Sequence, residues 1–174
     1  MSTVSKKICL VGDFGVGKTS LIRRFVDRQF SDQYLSTVGV KISRKLINGS
    51  NQDSVKSPRL QLLIWDIEGS TKFKAIAPTY LQGARGAVIV ADVTRLETLA
   101  HLSDHVQQFL SVNPQGVAIV ALNKADLLDD EQLNQLLQTE WFVHHARILG
   151  MHTTSAKTGK DVDQIFETLA HRLV

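Results

Sequence analysis

The sequence predicts an α/β domain built on a mainly parallel sheet, and three observations predict it. Short apolar runs alternate with segments of helical period along nearly all of the 174 residues. Composition is that of an ordinary globular domain, 43% hydrophobic and 21% charged, which excludes a disordered tail, a collagen-like repeat and a coiled-coil rod. The residues with chemical potential follow the ends of the apolar runs, where such a sheet binds its ligand. The length fits one domain, residues 1–174.

The elements can be placed in order. Lys7 to Val11 reads as a buried strand ending at Gly12. Thr19 to Phe30 reads as a helix with Leu21, Ile22, Phe25 and Val26 on one face. Val40–Ile47 and Leu60–Trp65 form the arms of a hairpin joined by a long polar loop, Asn48 to Pro58. Ala87–Asp92 is a buried strand, and Leu96–Val112 a helix carrying Leu99, Leu102, Val106, Phe109 and Leu110. Val117–Leu122 is a buried strand, Glu131–Leu149 a helix and Met151–Ser155 a short last strand. Asp161 to Leu173 places Val162, Ile165, Phe166 and Leu169 on one stripe, with Asp161 as its expected N-terminal cap.

Several function classes drop out. The only cysteine, Cys9, lies in an apolar strand, which suits a packed thiol in a reducing compartment. The longest apolar stretch, Ala87–Ala91, is far below the roughly 18–20 residues of a membrane-spanning helix. Neither terminus carries a signal-peptide layout, a myristoylation glycine or a prenylation cysteine, so no direct lipid anchor is expected. Net charge is only +3 and the basic residues are scattered, so no nucleic-acid partner is expected. His101 and His105 stand four apart on a helix without a third ligand in a recognised metal spacing, and read as solvated. His144 and His145 read as surface and Trp141-Phe142-Val143 as core.

Gly12-Asp13-Phe14-Gly15-Val16-Gly17-Lys18-Thr19 matches glycine, four residues, then Gly-Lys-Ser/Thr, between a strand and a helix. Backbone N–H groups of such a loop form a nest for phosphate oxygens, which bulky side chains would block. Asp13, Gly15, Val16, Gly17, Lys18, Thr19 and Ser20 are the expected phosphate-side residues. Lys18 would reach the β- and γ-phosphates and Thr19 would offer a hydroxyl to Mg²⁺ at the positive end of the helix.

Asn123-Lys124-Ala125-Asp126 follows the strand ending at Leu122. The two oxygens of Asp126 match the paired N1–H and N2–H₂ donors of guanine, which adenine lacks, so a guanine nucleotide is expected over ATP. The Lys124 stem would cover the base and Asn123 would tie this loop to the phosphate loop. Ser155-Ala156-Lys157 follows the last strand, and the Ala156 N–H could meet guanine O6.

With these motifs the chain, from Lys6 to its last helix, resembles the small GTPases of the Ras superfamily, closest to the Rab branch. Gln33 to Val40 resembles the first switch of that branch. Leu60 to Asp66, then Phe73, Ile76, Tyr80, Gly83, Ala84 and Gly86, resemble the second, and Asp92-Val93-Thr94 closes the fourth strand as the family pattern does. The resemblance implies six strands, one antiparallel, flanked by five helices. It implies that Thr37 ligates Mg²⁺ when a γ-phosphate is present, that Asp66 holds the ion through water and that Gly69 donates to the γ-phosphate. Phe30 would pack against the base and Tyr34 over the phosphates. Effector, exchange and activating proteins would bind through residues of about 33–42 and 67–80.

The family pattern at the second switch is Asp-x-Ala-Gly-Gln, and this chain reads Asp66-Ile67-Glu68-Gly69-Ser70. Ser70 is too short to place the attacking water as glutamine does, so intrinsic hydrolysis is expected to be weak. Lys18, Thr37, Gly69 and Ser70 are the catalytic candidates. Glu68 would repel a γ-phosphate unless turned away or bridged by the metal, or would orient water itself. Phe14 either crowds an arginine finger from an activating protein or folds outward. The Asn48–Pro58 loop, near the effector side, either shapes partner choice or is an idle insertion, which costs little.

The expected activity is that of a guanine-nucleotide switch with slow GTP hydrolysis. The alternatives are a hydrolysis-deficient, GTP-held interaction protein and a P-loop ATPase or nucleoside kinase, against which Asp126 argues. The expected location is the cytoplasm, with a partner as the route to a membrane.

Overall fold

The computed structural model describes residues 3–33, 36–48, 59–69, 77–142 and 144–174. Six strands, β1 (Thr3–Gly12), β2 (Val40–Ile47), β3 (Arg59–Ile67), β4 (Gly86–Asp92), β5 (Val117–Asn123) and β6 (Ile148–Thr153), form one sheet in the order β2-β3-β1-β4-β5-β6. All neighbours are parallel except β2 and β3. The helices are α1 (Lys18–Asp27), α2 (Ala77–Leu81), α3 (Leu96–Ala100), α4 (Leu102–Val112), α5 (Asp130–Gln138) and α6 (Val162–Arg172). Helices α3 and α4 are two arms of one segment interrupted at His101, so five helical segments flank the sheet among the described residues.

Alternate residues of the central strands feed two cores. Ile8 and Leu10 of β1, Val88 and Val90 of β4, and Ile119 and Ala121 of β5 pack with Phe25 of α1 and Phe166 of α6. Cys9 and Val11, Ile89 and Ala91, and Val120 and Leu122 pack with Leu81 of α2, Phe109 of α4 and Leu133 of α5. This two-sided burial is why the strands read as continuous apolar runs, each large side chain contributing about 1.5–3 kcal/mol. The rings of Phe25 and Phe166 stack at 4.3 Å and 8°, joining α1 to α6. Burial pushes the Cys9 thiol up to about 12, so it stays a neutral core group.

Several element boundaries differ from the expectation. The helix expected over Glu131–Leu149 stops at Gln138. Thr139 Oγ1 donates to Gln135 O at 2.9 Å and Trp141 Nε1 to Leu136 O at 2.9 Å, occupying carbonyls that another turn would need. Its start is a capping box between Asp129 and Gln132. The last strand begins at Ile148 and ends at Thr153, leaving Thr154 and Ser155 in the following loop. Helix α1 ends at Asp27 because Arg28 turns left-handed at φ 58°. Asp161 does precede α6, but at φ 54° its side chain makes no capping bond. A side-chain cap forms from an extended backbone, which Asp161 does not have.

Cys9, expected in the core, is buried; Trp141 and Phe142 are partly buried; His144 and His145 are exposed. Tyr34, Ser70, Phe73, Ile76, Val143 and nearly all of the Asn48–Pro58 loop lie outside the described residues. No helix of the described residues is long and apolar enough to cross a membrane.

Candidate functional site

A cleft of about 290 Å³ opens at the carboxyl ends of β1, β3, β5 and β6. At one end the glycine-rich loop wraps from β1 into α1. Gly17 takes φ 101°, and a Cβ there would overlap the Asn123 side-chain amide. That amide donates to Val16 O at 3.0 Å, and Lys124 Nζ donates to Gly15 O at 2.9 Å. The loop after β5 is therefore pinned to the glycine-rich loop through two backbone carbonyls. Thr154 Oγ1 donates to Asn123 Oδ1 at 3.2 Å and completes the buried amide's bonding.

Lys18 is 6% exposed. Its Nζ donates to Gly12 O and Asp13 O, both at 2.9 Å, and burial pulls its pKa down to about 8, against the raising effect of Asp66 and Asp13. A buried ammonium held by two neutral carbonyls is a receptor for anionic charge. Thr19 Oγ1 lies 2.6 Å from Thr37 Oγ1 and donates to Asp66 Oδ2 at 2.5 Å; Thr37 Oγ1 is 3.4 Å from that oxygen. Asp66 Oδ1 is buried with no hydrogen-bond partner among the described residues, and burial raises the carboxyl's pKa. Two hydroxyls and a carboxylate with one oxygen unsatisfied form a hard oxygen donor set that fits Mg²⁺ and the water it retains.

At the far end Ser155 Oγ donates to Asp126 Oδ1 at 2.7 Å, fixing the carboxylate plane. Lys124, in a left-handed backbone turn, also pairs with Asp92 Oδ2 at 2.8 Å. Burial raises the Asp92 carboxyl, but its bonds with Lys124 and Thr94 outweigh this and leave it lowered.

Of the sequence candidates, Gly15, Gly17, Lys18, Thr19, Ser20, Phe30, Thr37, Gly69, Asn123, Lys124, Asp126, Ala156 and Lys157 line the cleft. Asp66 stands behind Thr19, and Ser155 behind Asp126. Val16 instead puts its side chain in the core and contributes only its carbonyl. The Asp13 carboxylate reaches α3 and α4, where His101 Nδ1 meets Oδ2 at 2.5 Å and His105 Nε2 meets Oδ1 at 2.8 Å. This corrects the expectation that both histidines are simply solvated: the fold carries a carboxylate to their shared helical face.

Other contacts had no local signal. Arg95 Nη1 donates to Phe14 O at 2.9 Å, Arg24 Nε donates to Ala156 O at 2.7 Å, and Arg24 Nη2 donates to Lys157 O. The Phe14 ring is 44% exposed at the cleft mouth, the outward of its two expected placements. Glu68 is turned onto the first switch, its Oε2 accepting from Gly39 N at 2.9 Å.

The fold and the cleft define a P-loop protein with a second nucleotide-side loop after β5. The Ras family model matches residues 7–174. Similar proteins include GTP-binding protein ypt5 of Schizosaccharomyces pombe, 33% identical over 172 residues, covering 98% of this chain and 79% of the relative. Ras-related protein Rab5 of Nicotiana tabacum is 35% identical over 173 residues, covering 99% and 82%. Ras-related protein Rab-22A of Homo sapiens is 31% identical over 169 residues, covering 96% and 82%. The chain belongs to the Ras family and is a Rab-like small GTPase.

Proposed function

We propose that this chain is a slow guanine-nucleotide switch that binds GTP or GDP with Mg²⁺. The observation that carries the reading is one cleft with Lys18, Thr19 and Thr37 at one end and Lys124 and Asp126 at the other. A buried lysine with paired hydroxyls at one end suits a nucleotide's phosphates, and an oriented carboxylate beside a lysine stem at the other suits its guanine base. The fission-yeast relative is a GTP-binding protein, which supports the same ligand.

The roles follow from the bonds already present. Phosphate oxygens would take Lys18 Nζ from the Gly12 and Asp13 carbonyls and restore a full ion pair to a buried cation. Thr19, Thr37 and Asp66 would hold Mg²⁺, which supplies charge neutralisation on the phosphates when bound. Gly69 N–H would serve the γ-phosphate. Asp126, oriented by Ser155, would accept from guanine N1–H and N2–H₂. The Lys124 stem would cover the base, with Phe30 at its edge and the Ala156 N–H toward O6. Ser70 lacks the reach to place water, and this is the reason for slow turnover.

Loss of γ-phosphate contacts at Thr37 and Gly69 would release the two switches and alter the surface offered to effector, exchange and activating proteins. Val38 and Ile42, both exposed, supply apolar anchors on that surface. The protein would act in the cytoplasm and reach membranes through a partner.

Competition against a fluorescent GDP analogue tests the assignment. GTP and GDP should displace it and ATP should not, and Asp126→Asn should weaken GTP by about 100-fold through two lost charge-assisted bonds. Equal competition by ATP, or an Asn variant with unchanged GTP affinity, would contradict it.

A further inference from the structure

The ladder between β2 and β3 runs from Ile47↔Leu60 to Val40↔Ile67. One position further, Gly39 and Glu68 exchange two bonds of different kinds. Glu68 N donates to Gly39 O at 2.9 Å, and Gly39 N donates to the carboxylate Oε2 of Glu68 at 2.9 Å. The left-handed turn at Gly39, φ 73°, ends the regular ladder, and the side chain of Glu68 supplies the acceptor for the Gly39 N–H. Two residues before Gly39 stands Thr37, with its hydroxyl 2.6 Å from Thr19 Oγ1. Two residues before Glu68 stands Asp66, which accepts from Thr19.

We propose that Glu68 is a positioning residue that latches the first switch to the end of β3. Its carboxylate holds the Thr37–Gly39 segment so that the Thr37 hydroxyl stays beside Thr19 and Asp66. The latch acts through backbone, so it needs no γ-phosphate. Without it, the first switch keeps the Glu68 N–H bond to Gly39 O and the Thr37 contact with Thr19, and gains the rest of its closure from contacts made only by the triphosphate. With Glu68 in place, the diphosphate complex keeps part of the closed arrangement. This rests on the guanine-nucleotide reading above.

A latch of this kind leaves a specific kinetic signature. The triphosphate complex already has contacts that close the switch, so removing Glu68 should affect it little. The diphosphate complex lacks those contacts and depends more on the latch. Glu68→Ala should speed release of a fluorescent GDP analogue about five- to tenfold, the worth of one ordinary hydrogen bond, and release of the GTP analogue less than twofold. Glu68→Gln keeps an acceptor oxygen at the same reach and should stay within about twofold of the unmodified chain for both.

A second measurement does not need nucleotide. Amide hydrogen exchange at Gly39 should be slowed in the unmodified chain and in Glu68→Gln, and should accelerate about tenfold or more in Glu68→Ala. Unchanged GDP release together with unchanged Gly39 exchange in Glu68→Ala would overturn the latch. Equal acceleration in Ala and Gln variants would also overturn it, since charge and not the bond would then be responsible. An unmodified chain that binds neither analogue, yet shows the Gly39 protection, would defeat the nucleotide reading and leave the latch standing.

Discussion

His105 Nε2 lies 2.8 Å from Asp13 Oδ1, across 92 residues of chain. With His101 on the other oxygen, the carboxylate of the glycine-rich loop is held by α3 and α4 and not by the cleft. Arg95 adds a third tie, to the carbonyl of Phe14. The outer side of the loop is thus built into the helical layer, while its inner side keeps the Gly12 and Asp13 carbonyls on Lys18.

The Asp13 clamp has a defined pH signature. Burial pushes the carboxyl up, but hydrogen bonds from His105 and His101 more than reverse this and bring it to about 2. A carboxyl lowered on folding contributes fully above its unfolded value and loses that contribution as pH falls through the folded one. The window is therefore about pH 4 down to about pH 2. Asp13→Asn should cost about 2 kcal/mol at pH 6, and the deficit should shrink to roughly half by pH 3. Urea unfolding of both proteins at the two pH values measures it; a deficit that does not change with pH would contradict the clamp.

Gly69 gives a steric prediction. A Cβ at this position would stand 2.6 Å from Gly12 O and Asp13 C and 2.7 Å from Phe14 N, all backbone of the glycine-rich loop. Neither segment can yield cheaply, so Gly69→Ala should displace the start of the second switch. The variant should fold, retain GDP within about threefold and lose at least about tenfold in single-turnover GTP hydrolysis. GDP binding by fluorescence and hydrolysis of preloaded GTP separate these effects. Undiminished hydrolysis would show that the packing of Gly69 on the loop is irrelevant to the reaction.

Much of the site was legible because its signals are contiguous. Gly12 to Thr19 and Asn123 to Asp126 each sit in one loop, and a strand immediately before each gives their direction. The strand positions followed from the apolar runs, and the six strands with one antiparallel from the family pattern; the order of the strands in the sheet did not come from the sequence. What escaped sequence reading joins distant segments through single side chains: Asp13 with His101 and His105, Phe14 with Arg95, Ala156 with Arg24. No local periodicity carries such pairs. The early end of α5 escaped for another reason. Trp141 and Phe142 extend the apolar content beyond Gln138, yet side-chain bonds from Thr139 and Trp141 consume the carbonyls that helix continuation requires.

Single-turnover hydrolysis reads directly whether residue 70 slows this guanine-nucleotide switch. The unmodified chain and Ser70→Gln would be loaded with GTP and Mg²⁺, and phosphate release followed. The unmodified chain should turn over slowly, and Ser70→Gln should accelerate about tenfold or more, as a side chain able to orient water is restored. Equal rates in the two proteins, with the unmodified chain already fast, would contradict it, and place water activation on a group other than residue 70.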